Sequence, residues 1–237
     1  MKLNGHKIFS ITIRKNFNSK LKFFQIKMIA IIDYGAGNLR SVKNALDYFK
    51  VDCRITNNAN DITNADRLIF PGDGSFGYLM KSLQRKKLVS PIKEFINSGK
   101  PFLGICLGLQ ALFEESEESP GLKGLCVLKG KVIKFQKGKI PQIGWNKIIC
   151  KKNASRRSIF FDNSYVYFVN SYYAVPEDKS SIAAVTDYYG DFTSAIQYKN
   201  ITAMQFHPEK SGKPGLKMIR SWLNYEEKIS KANFEIF

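Results

Sequence analysis

Histidine is almost absent from this sequence: the 237 residues contain His6 and His207 and no other, so a catalytic imidazole can sit in only two places. Cysteine is scarce as well. Cys53, Cys106, Cys126 and Cys150 show none of the paired spacings of metal sites, and four separated thiols suit a reducing compartment. No apolar run approaches the ~18 residues of a membrane span. Acidic residues are missing from positions 1–27, where seven of the 37 basic residues lie. That leader inflates the formal charge of +17. Beyond it Lys and Arg are scattered, with no motif interleaving them with aromatics, which reads as a solvated surface rather than a nucleic-acid site.

The leader's apolar stretches are short and broken by Arg14-Lys15, Lys20 and Lys22, and it lacks the apolar centre and cleavage site of a secretory signal. It reads as an upstream start read into the protein, an organelle transit peptide or a surface extension. Met28, directly before the first strand, favours the first. The remainder, 44% hydrophobic over the whole chain, suits one α/β domain over residues 28–225, followed by a tail over 226–237.

The stretch that organises the chain is Pro101-Phe102-Leu103-Gly104-Ile105-Cys106-Leu107-Gly108-Leu109-Gln110. An apolar strand runs into a cysteine flanked two residues away by glycines, and a helix is predicted to follow. Small residues at those positions permit a sharp strand-to-helix turn that exposes the thiol at the sheet's carboxyl edge. The turn also aims backbone N–H groups, first that of Leu107, at a developing oxyanion. Alone, Cys106 would read as a buried apolar thiol, and the Gly-x-Cys-x-Gly spacing makes it a nucleophile if a base exists. His6 lies in the leader, so the base is His207, at the end of the apolar run Ile201 to Phe206. Pro208 stops that strand. Glu209 is placed to take the Nδ1 proton and leave the other nitrogen facing the thiol.

Met28 to Asp33 reads as a buried parallel strand, and Leu39, Val42, Leu46 and Phe49 as a helical stripe capped by Asn38. Gly35-Ala36-Gly37-Asn38 between them is a weak dinucleotide signal, because Arg40 stands where the third glycine belongs. Arg67 to Phe70 is a short strand ended by the loop Pro71-Gly72-Asp73-Gly74-Ser75-Phe76. A helical region from Gly77 to Asn97 leads back to the Cys106 strand. Glu114 to Glu118 with Pro120-Gly121 reads as a solvated acidic loop without calcium spacing. From Gly130 the pattern becomes short strands: Lys131 to Phe135, Lys147 to Cys150, Tyr165 to Ser171, Ile182 to Thr186, Thr193 to Gln197 and Ile201 to Phe206. These suit a smaller antiparallel layer from which His207 re-enters the active edge. A last helix starts near Pro214, with Leu216, Ile219 and Leu223 on one face.

Gly104 to Gln110 with His207-Pro208-Glu209 resembles the triad class of glutamine amidotransferases. Ile32-Asp33-Tyr34-Gly35-Ala36-Gly37-Asn38-Leu39, Pro71 to Phe76, Gly144-Trp145-Asn146 and Phe206 to Ser211 narrow the resemblance, over about Met28 to Asn224, to the glutaminase subunit family of imidazole glycerol phosphate synthase. The resemblance implies a flavodoxin-like, mostly parallel sheet flanked by helices, with a smaller antiparallel sheet. It implies hydrolysis of glutamine by Cys106, His207 and Glu209, without metal or cofactor. An oxyanion hole would come from Leu107 and from Asp73 and Gly74, in a loop that commonly carries an apolar residue where Asp73 stands. Gly72, Gln110, Ser171 and Tyr172 match the glutamine-binding segments. Asn170 and Gln142 stand where the family often has histidine.

Free ammonia protonates in water. The resemblance accordingly implies docking on a (β/α)₈-barrel cyclase that uses the ammonia to make imidazole glycerol phosphate and an aminoimidazole carboxamide ribotide in histidine biosynthesis. Asn38, Trp145, Tyr167 and Lys210 match positions at the partner face and ammonia gate. The implied location is the cytoplasm, or an organelle stroma if the leader is a transit peptide. Two alternatives stand beside this reading: a related amidotransferase serving a barrel-like partner in nucleotide-sugar or surface-glycan synthesis, and a non-enzymatic binding module on the same fold.

Overall fold

The computed structural model describes residues 26–151 and 159–224, so the leader up to residue 25 and the expected tail lie outside the described residues. The first half alternates strand and helix: β1 (Ile29–Ile32), α1 (Leu39–Tyr48), β2 (Cys53–Thr56), α2 (Ala59–Asn64), β3 (Arg67–Gly72), α3 (Phe76–Arg85), α4 (Val89–Asn97), β4 (Phe102–Cys106) and the single turn α5 (Leu107–Gln110). The second half is mostly strand: β5 (Glu115–Ser116), β6 (Gly130–Lys134), β7 (Gln142–Lys147), β8 (Ile149–Cys150), β9 (Tyr165–Asn170), β10 (Tyr172–Pro176), β11 (Ile182–Asp187), β12 (Asp191–Tyr198) and β13 (Ile201–Met204), closed by α6 (Gly212–Leu223).

Eight strands form one sheet in the order β2-β1-β3-β4-β13-β12-β11-β8. The first five are parallel and the last three antiparallel. β1 is buried along its whole length, and its side chains divide with period two: Ala30 and Ile32 join one core and Ile29 and Ile31 the other. The first core takes Ile62 of α2, Leu79 and Leu83 of α3, and Ile92 and Phe95 of α4. The second takes Val42 and Leu46 of α1 and Met218, Ile219 and Trp222 of α6. Arg67 is buried between them, donating to the Trp222 carbonyl at 3.1 Å and stacking on its ring, which ties α6 to the start of β3. The Asn38 side chain caps α1 by accepting from Ser41 N–H.

Four sequence expectations change. β11, β12 and β13 belong to the large sheet rather than to a separate antiparallel layer, with Ile201–Met204 lying parallel beside Phe102–Ile105. The smaller layers are instead β10-β6-β5 and the ribbon β7-β9, and three of these strands, β5, β7 and β10, differ from the runs read from sequence. The helical region Gly77 to Asn97 is two helices, broken where Lys87 turns to φ 56°. The acidic loop is not merely solvated: Glu114, Glu117 and Glu118 accept the backbone N–H groups of Gly130, Lys134 and Phe76. Among the described residues no helix is long and apolar enough to cross a membrane.

The backbone at Lys27 and Met28 is pinned by Asp66, whose Oδ2 accepts from Lys27 N–H at 2.7 Å and Met28 N–H at 3.0 Å. Ile26 adds a partly buried contact with the second core. A chain beginning at Met28 keeps the Asp66 contact, now charge-assisted, and loses the Ile26 contact, a loss of about 1 kcal/mol. Its melting temperature is therefore expected to fall by only about 2–4 °C. A fall beyond about 10 °C in a thermal melt would make the leader part of the fold.

Candidate active site

β3, β4 and β13 run parallel, so their carboxyl ends deliver Gly72, Cys106 and the His207 segment to one edge of the sheet. Cys106 ends β4 at φ 53°, ψ −109°, a conformation that costs a non-glycine residue roughly 1–3 kcal/mol. The surroundings enforce it. A Cβ on Gly108 would collide with the Phe70 carbonyl, and one on Gly72 would lie 2.6 Å from the Leu107 Cβ, so the elbow and the β3 loop approach each other only through glycine. The residue is 7% exposed.

His207 follows β13 and starts a 3₁₀ turn at Pro208. Its N–H donates to the Tyr167 carbonyl at 2.9 Å, and its carbonyl accepts from Ser211 Oγ at 2.6 Å. The ring Nδ1 bonds Glu209 Oε1 at 2.8 Å, with both side chains almost fully buried. That bond puts the Nδ1 proton on the carboxylate side and leaves Nε2 free, 4.0 Å from Asp73 Oδ1. Burial pushes the imidazole down, but the neighbouring Cys106 sulfur and the Glu209 carboxylate outweigh it and hold His207 up at about 10.

Gly72, Asp73, Gly74, Cys106, Leu107, Gln110, Ser171 and Tyr172 line one cavity of about 220 Å³, joined by Glu118, Pro141, Val169 and Asn170. Sequence reading singled out the first eight together and missed the participation of Glu118. It sits in Glu114-Glu115-Ser116-Glu117-Glu118, where nothing in spacing distinguishes the one that lines the cavity. Asn170 pairs across the ribbon with Gln142, both buried. The Asn170 Nδ2 donates to the Tyr172 carbonyl at 3.0 Å.

The Asp73 peptide is clamped by one hydroxyl. Tyr34 Oη accepts from Asp73 N–H at 2.8 Å and donates to the Asp73 carbonyl at 2.6 Å. Burial pushes the Tyr34 phenol well above its usual range, so it stays protonated and can do both. The Asp73 carboxylate accepts from Asn38 N–H at 3.1 Å, so the glycine loop before α1 meets an acid where a phosphate site would need open donors. Asn38, Trp145, Tyr167 and Lys210 lie outside the cavity lining. Trp145 is 52% exposed and meets Tyr167 edge-on at 6.0 Å, on a ribbon face that also exposes Ile143 and Tyr165. Among the described residues no group of three or more His, Cys, Asp or Glu side chains gathers as a metal site.

The class-I glutamine amidotransferase family matches residues 30–224. The imidazole glycerol phosphate synthase subunit HisH of Pyrococcus furiosus is 48% identical over 195 residues, covering 82% of this chain and 97% of that protein. The subunit of the same name from Aquifex aeolicus is 47% identical over 202 residues, covering 84% and 98%. This chain belongs to the class-I glutamine amidotransferases, and within them to the HisH subunits. A solved structure of a glutamine amidotransferase superposes with a TM-score of 0.67 at 18% identity, covering 84% of this chain and 98% of that one, a likeness of fold. The α/β architecture expected from sequence is therefore that of an amidotransferase, and the protein is an enzyme of that class.

Proposed function

We propose that this chain is the glutaminase subunit of imidazole glycerol phosphate synthase, hydrolysing glutamine to glutamate and ammonia for a cyclase partner. The observation that carries the reading is the Cys106 elbow opening on an amino-acid-sized cavity while His207, tied to Glu209, neighbours its sulfur from behind that lining. Cys106 Sγ attacks the glutamine side-chain carbonyl carbon, and the negative charge moves to the amide oxygen, toward the Leu107 N–H. His207 delivers its Nε2 proton to the amide nitrogen as the C–N bond breaks, releasing ammonia and leaving a thioester. A water then gives its proton to His207 and attacks the thioester carbon; glutamate leaves and Cys106 is restored. Glu209 holds the ring throughout. Gln110, whose Nε2 is already spent on the Tyr172 carbonyl and the Gln205 Oε1, offers its own carbonyl to the substrate ammonium, with the Glu118 carboxylate as the complementary charge. Ser171 and Tyr172 take the α-carboxylate end.

Ammonia protonates if it escapes to water, so the exit must be covered. The exposed apolar face of the β7-β9 ribbon, with Trp145 and Tyr167, suits a barrel-shaped cyclase as the cover. The same ribbon contacts the base directly, through the Tyr167 carbonyl on His207 N–H. Lys210, whose N–H donates to the His207 carbonyl at 3.1 Å, adds a cation beside that face, while Asn38 binds the Asp73 carboxylate at the cavity mouth. Mixing the protein with the barrel cyclase of its own genome is expected to raise glutamate release, and to raise it further when the cyclase's nucleotide ligand is added. Absence of glutamate release from the ligand-bound mixture would overturn the reading.

A further inference from the structure

Gln205 follows β13 and is completely buried, its N–H held by the Ser194 carbonyl at 2.9 Å. Its side chain ends 3.5 Å from the Cys106 sulfur, with Nε2 as the donor. Which end of an amide faces a neighbour has to be argued from its partners, and here one backbone group settles it. The Tyr172 carbonyl can only accept. Gln110 therefore presents its NH₂ to it, at 3.0 Å, and the second hydrogen of the same NH₂ needs another acceptor. Gln205 Oε1 supplies that acceptor at 2.9 Å. The oxygen of Gln205 thus faces Gln110, and its NH₂ has to face the sulfur.

A neutral thiol is a weak acceptor, whereas a thiolate receives a charge-assisted hydrogen bond. A fully buried N–H aimed at sulfur is well matched only when that sulfur is anionic. We infer that Gln205 acts directly on the nucleophile, donating a hydrogen bond that stabilises and aims the Cys106 thiolate, with its amide locked in orientation by Gln110 and the Tyr172 carbonyl. The inference deepens the glutaminase reading: His207 supplies the positive charge on one side of the sulfur and Gln205 a neutral donor on another. It also links substrate to nucleophile, because Gln110 lines the cavity and grips Gln205 through the same NH₂ group.

The test needs neither glutamine nor partner, so it separates from the glutaminase reading: the reactivity of Cys106 can depend on Gln205 in a protein that releases no glutamate, and the converse. Alkylation of the full chain by iodoacetamide is followed against pH, with Cys106 resolved from Cys53, Cys126 and Cys150 by peptide mass. Gln205→Met, close in shape and without the donor, is expected to move the midpoint of Cys106 alkylation up by about one to two pH units, the worth of a hydrogen bond to a charged group. Gln205→Glu, which sets a carboxylate beside the sulfur, should move it further. A role in packing alone would change the melting temperature and leave the midpoint where it is. Unchanged midpoints in both folded variants overturn the inference. If either fails to fold, Gln110→Met tests the relay from its other end: losing the grip on Gln205 Oε1 must also raise the midpoint, and an unchanged value there overturns the inference equally.

Discussion

Cys106→Ala in the assembled complex abolishes glutamine-dependent synthesis and leaves ammonium-dependent synthesis intact. The reason lies in the division of labour proposed for the two subunits. The sulfur is the only atom that attacks the amide, and removal of a triad nucleophile costs on the order of 10⁶ in turnover. His207 and Glu209 keep their mutual bond without it, because that 2.8 Å contact involves no atom of Cys106. The elbow survives as well, since its φ of 53° is imposed by the contacts of Gly72 and Gly108 with neighbouring backbone rather than by the thiol. The proposed partner face, on the β7-β9 ribbon, is untouched. Ammonium supplied from solution therefore replaces the missing product. Loss of both activities in a complex that still assembles would show that Cys106 is not simply the source of ammonia.

The second large effect concerns Asp73. With its N–H bound to Tyr34 Oη, the Asp73 peptide does not offer that hydrogen to an oxyanion at Cys106. A missing oxyanion donor costs ~10²–10³ in turnover, roughly 2.7–4 kcal/mol. The free subunit is accordingly expected to be slow, and to gain most of that factor when partner binding turns the peptide over between Gly72 and Gly74. The Asp73 carboxylate, 4.0 Å from the imidazole Nε2, adds a charge that opposes a developing oxyanion until it is withdrawn. Tyr34→Phe removes both bonds of the clamp, worth together about 1–3 kcal/mol. It should raise glutamate release by the free subunit about tenfold while changing the partner-bound rate little. An unchanged free rate in the folded variant, with partner activation still present, would eliminate the clamp as the brake.

The proposed catalytic centre could be read from the sequence because its candidate residues follow short-range rules. Glycines two residues on either side of Cys106 report a steric demand that arises within the turn itself. His207 could be found because the chain offers only one other histidine, and Glu209 because two positions along a proline-started turn suffice to reach the ring. The Asn38 cap and the buried Ile29–Ile32 strand follow from equally local preferences. What lay beyond the sequence depends on partners far along the chain. An apolar run such as Ile201–Met204 reads the same in an antiparallel layer as in the parallel sheet, and only its pairing with Phe102–Ile105, about a hundred positions away, places His207 beside the nucleophile. Tyr172–Pro176, ending in proline, became a strand because Gly130–Lys134 offered it a ladder. Lys87 broke a helical region four residues before Pro91, which sits in the first turn of the second helix and was the one local sign of the break. Glu118, Gln205 and the Tyr34 clamp on Asp73 are hydrogen bonds across 42, 99 and 39 positions, and no residue spacing encodes them. Local sterics pointed to the proposed nucleophile, its proposed base and the turn between strand and helix; the folded sheet, by bringing distant donors and acceptors into a buried space where each must find a partner, decided how the candidate site is held, oriented and restrained.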